Sequence, residues 1–195
     1  MNALPLMTEV TDLHRERIIT WKTHGVKTSQ TNFLGLVEEN HAFNYQLWHA
    51  EDRARRDDLG YEYVYRAKRD IDGFNQQRND RMEMMDEWIY HHLQASPSSS
   101  CPLHTETPGM IIDRLSILSL KAYHMNEQTL RHDVNDAHRQ QCAHKTQVID
   151  TQRTSLVQAL QLLIDDIQNK TRTFRVYHQF KMYNNPQLYG SGVPA

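Results

Sequence analysis

The chain has 195 residues, 38% of them hydrophobic, and its 22 basic and 24 acidic side chains leave a formal charge of −2. One domain is the natural reading at that length, and a chain of this size buries about 70% of the surface it exposes when unfolded. Balanced charge excludes a global field for nucleic acid or an anionic membrane, and the longest apolar run falls far short of the ~18 residues a spanning helix needs.

Seven glycines and six prolines are few against typical shares of about 7% and 5%. Scarce turn residues favour long helices over many short strands, so the expected class is all-α. A mean hydropathy of −0.75 suits amphipathic helices with one wet face. Cys101 and Cys142 supply no disulfide framework. Met1-Asn-Ala-Leu-Pro-Leu-Met lacks a basic n-region, so no secretory leader is expected and a cytoplasmic location is. The 12 histidines could swing the net charge positive between roughly pH 7 and 5.

In chain order, residues 8–23 predict a first helix, capped by Thr8 and ended by His24-Gly25, with Val10, Leu13, Ile18 and Trp21 on one side. A second helix is expected over 33–57. Leu36, Phe43, Leu47, Ala50 and Ala54 form its apolar stripe, beside a row of Val37, His41, Asn44, Trp48, Glu51 and Arg55 at helical spacing. A third, over 61–94, carries Val64, Ala67, Ile71, Phe74, Arg78, Met82, Met85 and Ile89 on one face. Residues 96–109, rich in Ser and Pro, are a loop. Thr107-Pro108 then starts a helix bearing Ile111, Leu115, Leu118, Ala122 and Met125. A last long helix is expected over 134–169, with Leu156, Leu160, Leu163 and Ile167 in its second half. Its first half continues the stripe through Gln152, Ile149, Lys145, Cys142 and His138.

Short connections predict an up-down antiparallel four-helix bundle of long helices with an extra N-terminal helix. Residues 1–32 hold that helix and its connector, 33–170 the bundle, and 171–195 a partly irregular tail that packs on the bundle or extends from it.

Polar groups on core stripes must be bonded or paired, or they cost several kcal/mol. Such intrusions are His41, Asn44 and Glu51 on the second helix, Arg78 on the third, and His138, Lys145 and Gln152 on the last. One reading is a polar cavity for an anionic or metal-linked ligand. The other is a structural network, for example Arg78 with Glu51 and Asp113. Glu38-Glu39-Asn40-His41 holds one Glu-x-x-His unit, and Glu51-Asp52 with Glu83 and Asp86 puts carboxylates on adjacent helices. A divalent metal is therefore a candidate cofactor, although a di-iron site needs a second Glu-x-x-His that is absent and the pyrophosphohydrolase pattern fits poorly. No nucleophile elbow, phosphate-cradling glycine loop or gathered basic face is visible.

Three segments carry a resemblance: Leu47-Trp-His-Ala-Glu-Asp-Arg-Ala-Arg55 with Asn75-Gln-Gln-Arg-Asn-Asp80, Thr105 to Met125, and Gln179-Phe-Lys-Met-Tyr-Asn184. Together they resemble the domain-of-unknown-function 4254 family of bacteria, over roughly Phe33 to Pro186. That resemblance implies a helical fold and a place beside cell-surface glycan synthesis, glycosyltransferases included, with no established catalytic residues. Asn185 stands where the resemblance leads one to expect an acidic residue.

Two functions stay open. In the first, the bundle binds a phosphorylated or nucleotide-sugar small molecule. Arg78, Arg114 and Lys145 hold the anion, and Glu51, Asp52 or Asp80 serves as metal ligand or general base. His49 or His124 acts as acid or base, Trp48 stacks on a ring, and Glu106-Thr107-Pro108-Gly109 seats an anion at a helix N-terminus. Asn75, Asn79 and Asp113 complete the polar lining. In the second, the chain is a non-enzymatic interaction protein, a homodimer or a glycosyltransferase partner, whose interface includes Met82-Glu-Met-Met85, Tyr177, Tyr183 and Tyr189. Arg78→Met is expected to separate the two. Neither reading includes nucleic acid or membrane insertion.

Overall fold

A computed structural model describes residues 7–180. It is all-α apart from one two-residue strand pair. Helices α1 (Met7–His24), α2 (Asn32–Arg53), α3 (Tyr61–His92), α4 (Pro108–Thr129) and α5 (Asp136–Gln168) follow in order, with β1 (Leu103–His104) before α4 and β2 (Thr173–Phe174) after α5. No helix among the described residues is long and apolar enough to cross a membrane.

Local chemistry sets most of the boundaries. Gly25, at φ +74°, stops α1 and donates its N–H to the Trp21 carbonyl at 3.0 Å, the αL ending that glycine permits. Thr107 caps α4, its hydroxyl accepting from Met110 N, and Pro108 opens the first turn. Asn135 caps α5 by accepting from His138 N at 2.9 Å. Helix α2 ends at Arg53, four residues before the expected stop at Asp57. The chain then makes a single 3₁₀ turn over Asp57–Leu59, held by the Arg56 fork on Asp58 and closed by Gly60 at φ +84°. A local ion pair and a left-handed glycine outcompete one more helical turn there.

Helices α2 and α3 form an antiparallel hairpin, with Arg53 bonded to Asp70 near its turn and Arg81 to Glu39 further along. Helix α5 packs along α4. The tail returns to the fold through β2, which pairs in parallel with β1 and buries Phe174 in the main core. That core gathers Met7, Val10, Val37, Met85, Ile111, Leu115, Leu160 and Ile167. A second apolar cluster holds Ile18, Trp21, Ala42, Tyr45 and Leu120, and a third holds Leu47, Ala50, Ala67 and Ile71.

Polar intrusion on α5 is corrected. Lys145 and Gln152 are exposed and His138 is half-buried, while Cys142 and Ile149 of the same stripe are buried. Only the second half of α5 reaches the main core, so a narrow seam against α4 is all its first half needs. Within Met82–Met85, Met85 is fully buried and packs in the core, which removes it from any interface, whereas Met84 is 43% exposed. Tyr183 and Tyr189 lie outside the described residues.

Candidate functional site

Along α1, α2 and α4 alike, a polar layer separates the apolar clusters. His14 lies between Leu13 and Ile18 on α1, Asn40, His41 and Asn44 between Val37 and Leu47 on α2, and Asp113 and Ser116 among Ile112, Leu115 and Leu120 on α4. Every one of these six is at most 4% exposed, so each needs partners inside; five side chains find them, whereas neither ring nitrogen of His14 has a hydrogen-bond partner among the described residues.

Asp113 is the hub. Its Oδ1 accepts from Asn44 Nδ2 at 2.8 Å and Asn40 Nδ2 at 3.0 Å, and Arg78 Nε approaches it at 3.1 Å. Ser116 joins the next link, accepting from Asn44 Nδ2 at 3.0 Å and lying 2.7 Å from His41 Nδ1. His41 Nε2 is 2.9 Å from the His14 carbonyl. A carbonyl only accepts, so Nε2 carries the proton and Nδ1 accepts from the Ser116 hydroxyl. That tautomer is neutral, in keeping with burial, which pushes His41 down to about 3.

The layer opens on one side into a groove of about 450 Å³. Helix α2 supplies Asn44, Trp48, Glu51 and Asp52, with Arg55 just past its end; α3 supplies Asn75 and Arg78, and α4 Ile117 and Leu120. Positions 44, 48, 51 and 55 are the i+3/i+4 row visible in the sequence. Arg78 spans layer and groove, since its side chain is 26% exposed while Asp113 is nearly closed off. Beyond that pair, its hydrogen bond among the described residues is a long one, 3.4 Å from Nη1 to Asn75 Oδ1. Glu51 pairs with Arg55 at 3.3 Å rather than with Arg78, so the expected Arg78–Asp113 pairing is present and the Glu51 leg is replaced.

Behind Trp48 sits an aromatic cluster. The indole stacks on His124 at 4.5 Å and 7°, and His49 lies edge-on to His124 at 6.1 Å. His124 Nδ1 is 3.0 Å from Glu127, which also takes Lys22. Burial, then His124, lowers His49 below the usual histidine range. Neither histidine lines the groove: His124 stands one ring behind Trp48, and His49 lies beyond His124.

The remaining expected residues are scattered. Asp80 accepts from Gln76 at 2.7 Å and is half-buried on α3, as is Asn79. Glu106 pairs with the exposed Arg114, while Thr107 is wholly buried as the α4 cap. Lys145 is exposed in the first half of α5. Glu38 and His41 of the Glu-x-x-His unit are both engaged, Glu38 by Arg17 and by the N–H groups of Ser29 and Gln30 at 2.7 Å. Among the described residues no three His, Cys, Asp or Glu side chains are grouped to hold a metal ion.

Sequence reasoning missed Ser116 and His14, and it offered Asp86 and Glu38 only as candidate metal carboxylates, not as buried acceptors of backbone N–H groups. Asp86 is buried and accepts from Gly109 N at 2.7 Å. Burial pushes it up to about 7, against the pull of bonds from Thr107 and Gly109. A signal existed: Asp86 stands four residues after Met82 and three before Ile89, and His14 four after Val10 and four before Ile18, both on apolar stripes.

A family model described as a protein of unknown function, DUF4254, matches residues 34–176. The chain belongs to the DUF4254 family. No curated protein and no solved structure matches it. The matched span takes in the groove, the polar layer and the Thr107–Gly109 helix start, whereas α1 with His14 and the Gln179–Asn184 segment lie outside it. The longest motif of this DUF4254 member thus has two structural duties: Thr107, Pro108 and Gly109 seat α4 on α3, and Asp113 and Ser116 knit α4 to α2.

Proposed function

We propose that the α2–α3–α4 groove binds a phosphorylated or nucleotide-linked small molecule. The reading takes α2 to α5 as an up-down antiparallel bundle with α1 as the added helix, so the groove is an opening between three of its members. The observation that carries it is Arg78: its Nε side is turned to the buried Asp113, and the rest of a rigid guanidinium fork is left at a groove wall. Such a fork is preorganised for the planar, bidentate contacts a phosphate offers. Trp48 supplies a ring face for a base or sugar, and Glu51 and Asp52 supply carboxylates for hydroxyl groups or as a general base. The volume lies within the ~300–1,000 Å³ of small-molecule sites.

Arg78→Met is a poor test, because it strands Asp113 as an unpaired buried charge and costs stability whatever the function. Trp48→Ala and Glu51→Gln touch the groove without touching Asp113. The test is thermal unfolding of the full chain against nucleotides, nucleotide sugars and divalent metals, the expectation of a glycan pathway putting nucleotide sugars first. A ligand at 100 times its Kd adds ~2.7 kcal/mol, or roughly 5–10 °C at this size. We expect such a shift in the parent chain and its loss in both variants; a flat panel sinks the reading.

A further inference from the structure

Ile117 has a groove on each of its two sides. The second, of about 560 Å³, runs between α4 and α5 and is lined by Arg114 and Lys121 with Ile117 on α4, and by Thr151, Ser155 and Leu156 on α5. It exists because α5 faces α4 here with short side chains. Between the buried Ile149 and Leu160, Thr151 and Ser155 do not fill the gap that longer apolar residues would close.

We propose that this groove is a binding site for an organic anion with an apolar body, a phosphate or carboxylate on a hydrocarbon or ring. Spacing makes the case first. Residues 114, 117 and 121 follow at i, i+3 and i+7, which places cation, apolar and cation groups in one stripe of α4. The two cations start about 10 Å apart along the axis, and side chains of their length converge on one anion lying between them over Ile117 and Leu156. Charge makes the case next. The lining holds two cations and no carboxylate, unlike the first groove with its Glu51 and Asp52. Arg114 is partly neutralised by Glu106, but Lys121 has no ion pair among the described residues. The Thr151 and Ser155 hydroxyls donate back into their own helix, to Gln147 O and Thr151 O at 3.0 Å each, so recognition of the anion falls on the cations. An apolar floor under a net positive charge selects amphipathic anions over free phosphate, whose hydration the floor cannot replace.

The site is independent of the first groove, and the test keeps them apart. Octyl phosphate is titrated into the full chain by calorimetry, below its micelle concentration, with octanol and inorganic phosphate as half-ligands. The expected result is binding of octyl phosphate at least about tenfold tighter than either half. Lys121→Glu weakens it about tenfold or more and Ser155→Trp, which fills the gap, abolishes it, while Trp48→Ala leaves it unchanged. Lys121 and Ser155 are both exposed, and far-UV melting confirms that each variant folds. Lys121→Gln, which removes charge without reversing it, gives an intermediate loss. Competition by benzyl phosphate in solution or by phosphatidate vesicles assigns the anion to a soluble or a lipid source. Octanol binding as tightly as octyl phosphate, undiminished affinity in Lys121→Glu, or loss of binding in Trp48→Ala overturns the proposal.

Discussion

Gly109 has no room for a side chain: a Cβ there would stand 2.6 Å from the Met82 carbonyl oxygen and 2.8 Å from Asp86 Oδ1. The carbonyl belongs to the α3 backbone and cannot swing away, and Asp86 is already tied to Gly109 N. Gly109→Ala gains roughly 0.5–1 kcal/mol of helix propensity but must push α4 off α3, an overpacking cost of about 1–3 kcal/mol. The clash wins, and we expect a net loss near 1–2 kcal/mol, read as a lower urea midpoint at unchanged slope. An unchanged midpoint would show that the two helices can part freely. The Thr-Pro-Gly run announces a helix start in the sequence, whereas the reason for glycine does not show there. Asp86 lies 23 residues away, and no local pattern couples the two.

At the scale of elements, the helices themselves were legible because their signals are local. Caps such as Thr107, stops such as Gly25 and apolar recurrence along α1, α3 and α4 are written within single segments. What was illegible depends on a partner. Helix α5 reads as one stripe from end to end, and only its neighbours decide that the first half is a thin seam. The two-residue strands have no period at all, so the tail reads as irregular, yet Thr173 N donates to Pro102 O at 3.0 Å and its hydroxyl to Ser96 O at 2.6 Å. Phe174 follows, 1% exposed and edge-on to Tyr90 at 5.8 Å. This short pairing is an anchor that drives an aromatic ring into the main core. Phe174→Ala should therefore cost about 3–5 kcal/mol, as much as a helix core residue. A loss under 1 kcal/mol in chemical denaturation would mean that β2 merely rests on the surface.

Over the whole molecule, two histidines of the polar layer and Asp86 on α3 make stability depend on pH, in opposite senses. The sequence marks two of the layer's members, His41 and Asn44, as polar residues beside a core stripe, but their network with Asp113 and Ser116 exists only once α2 and α4 are packed. His14 and His41 lie with ring centroids 4.6 Å apart. Burial lowers both, His14 well below its ordinary value with His41 and Arg153 adding to the effect, and His41 to about 3. Their rings stay neutral in the folded chain while the unfolded chain protonates them near 6.5, so they withdraw stability as pH falls below 6.5. Asp86 acts oppositely. Raised to about 7 from an unfolded value near 3.9, it holds a proton in the fold that the unfolded chain has released, and so adds stability as pH falls from 7 toward 4. Each group contributes about 1.4 kcal/mol per pH unit across its window. Between pH 6.5 and 4 both histidines draw protons to the unfolded chain, as His49 does by its own lowered value, while Asp86 alone draws one to the fold, so the histidines set the sign. Stability from urea melts should then fall on acidification over that interval. Asp86→Asn removes the opposing group and should steepen that fall, whereas a stability flat from pH 6.5 to 4 would mean that the His14–His41 pair is open to protons in the folded chain.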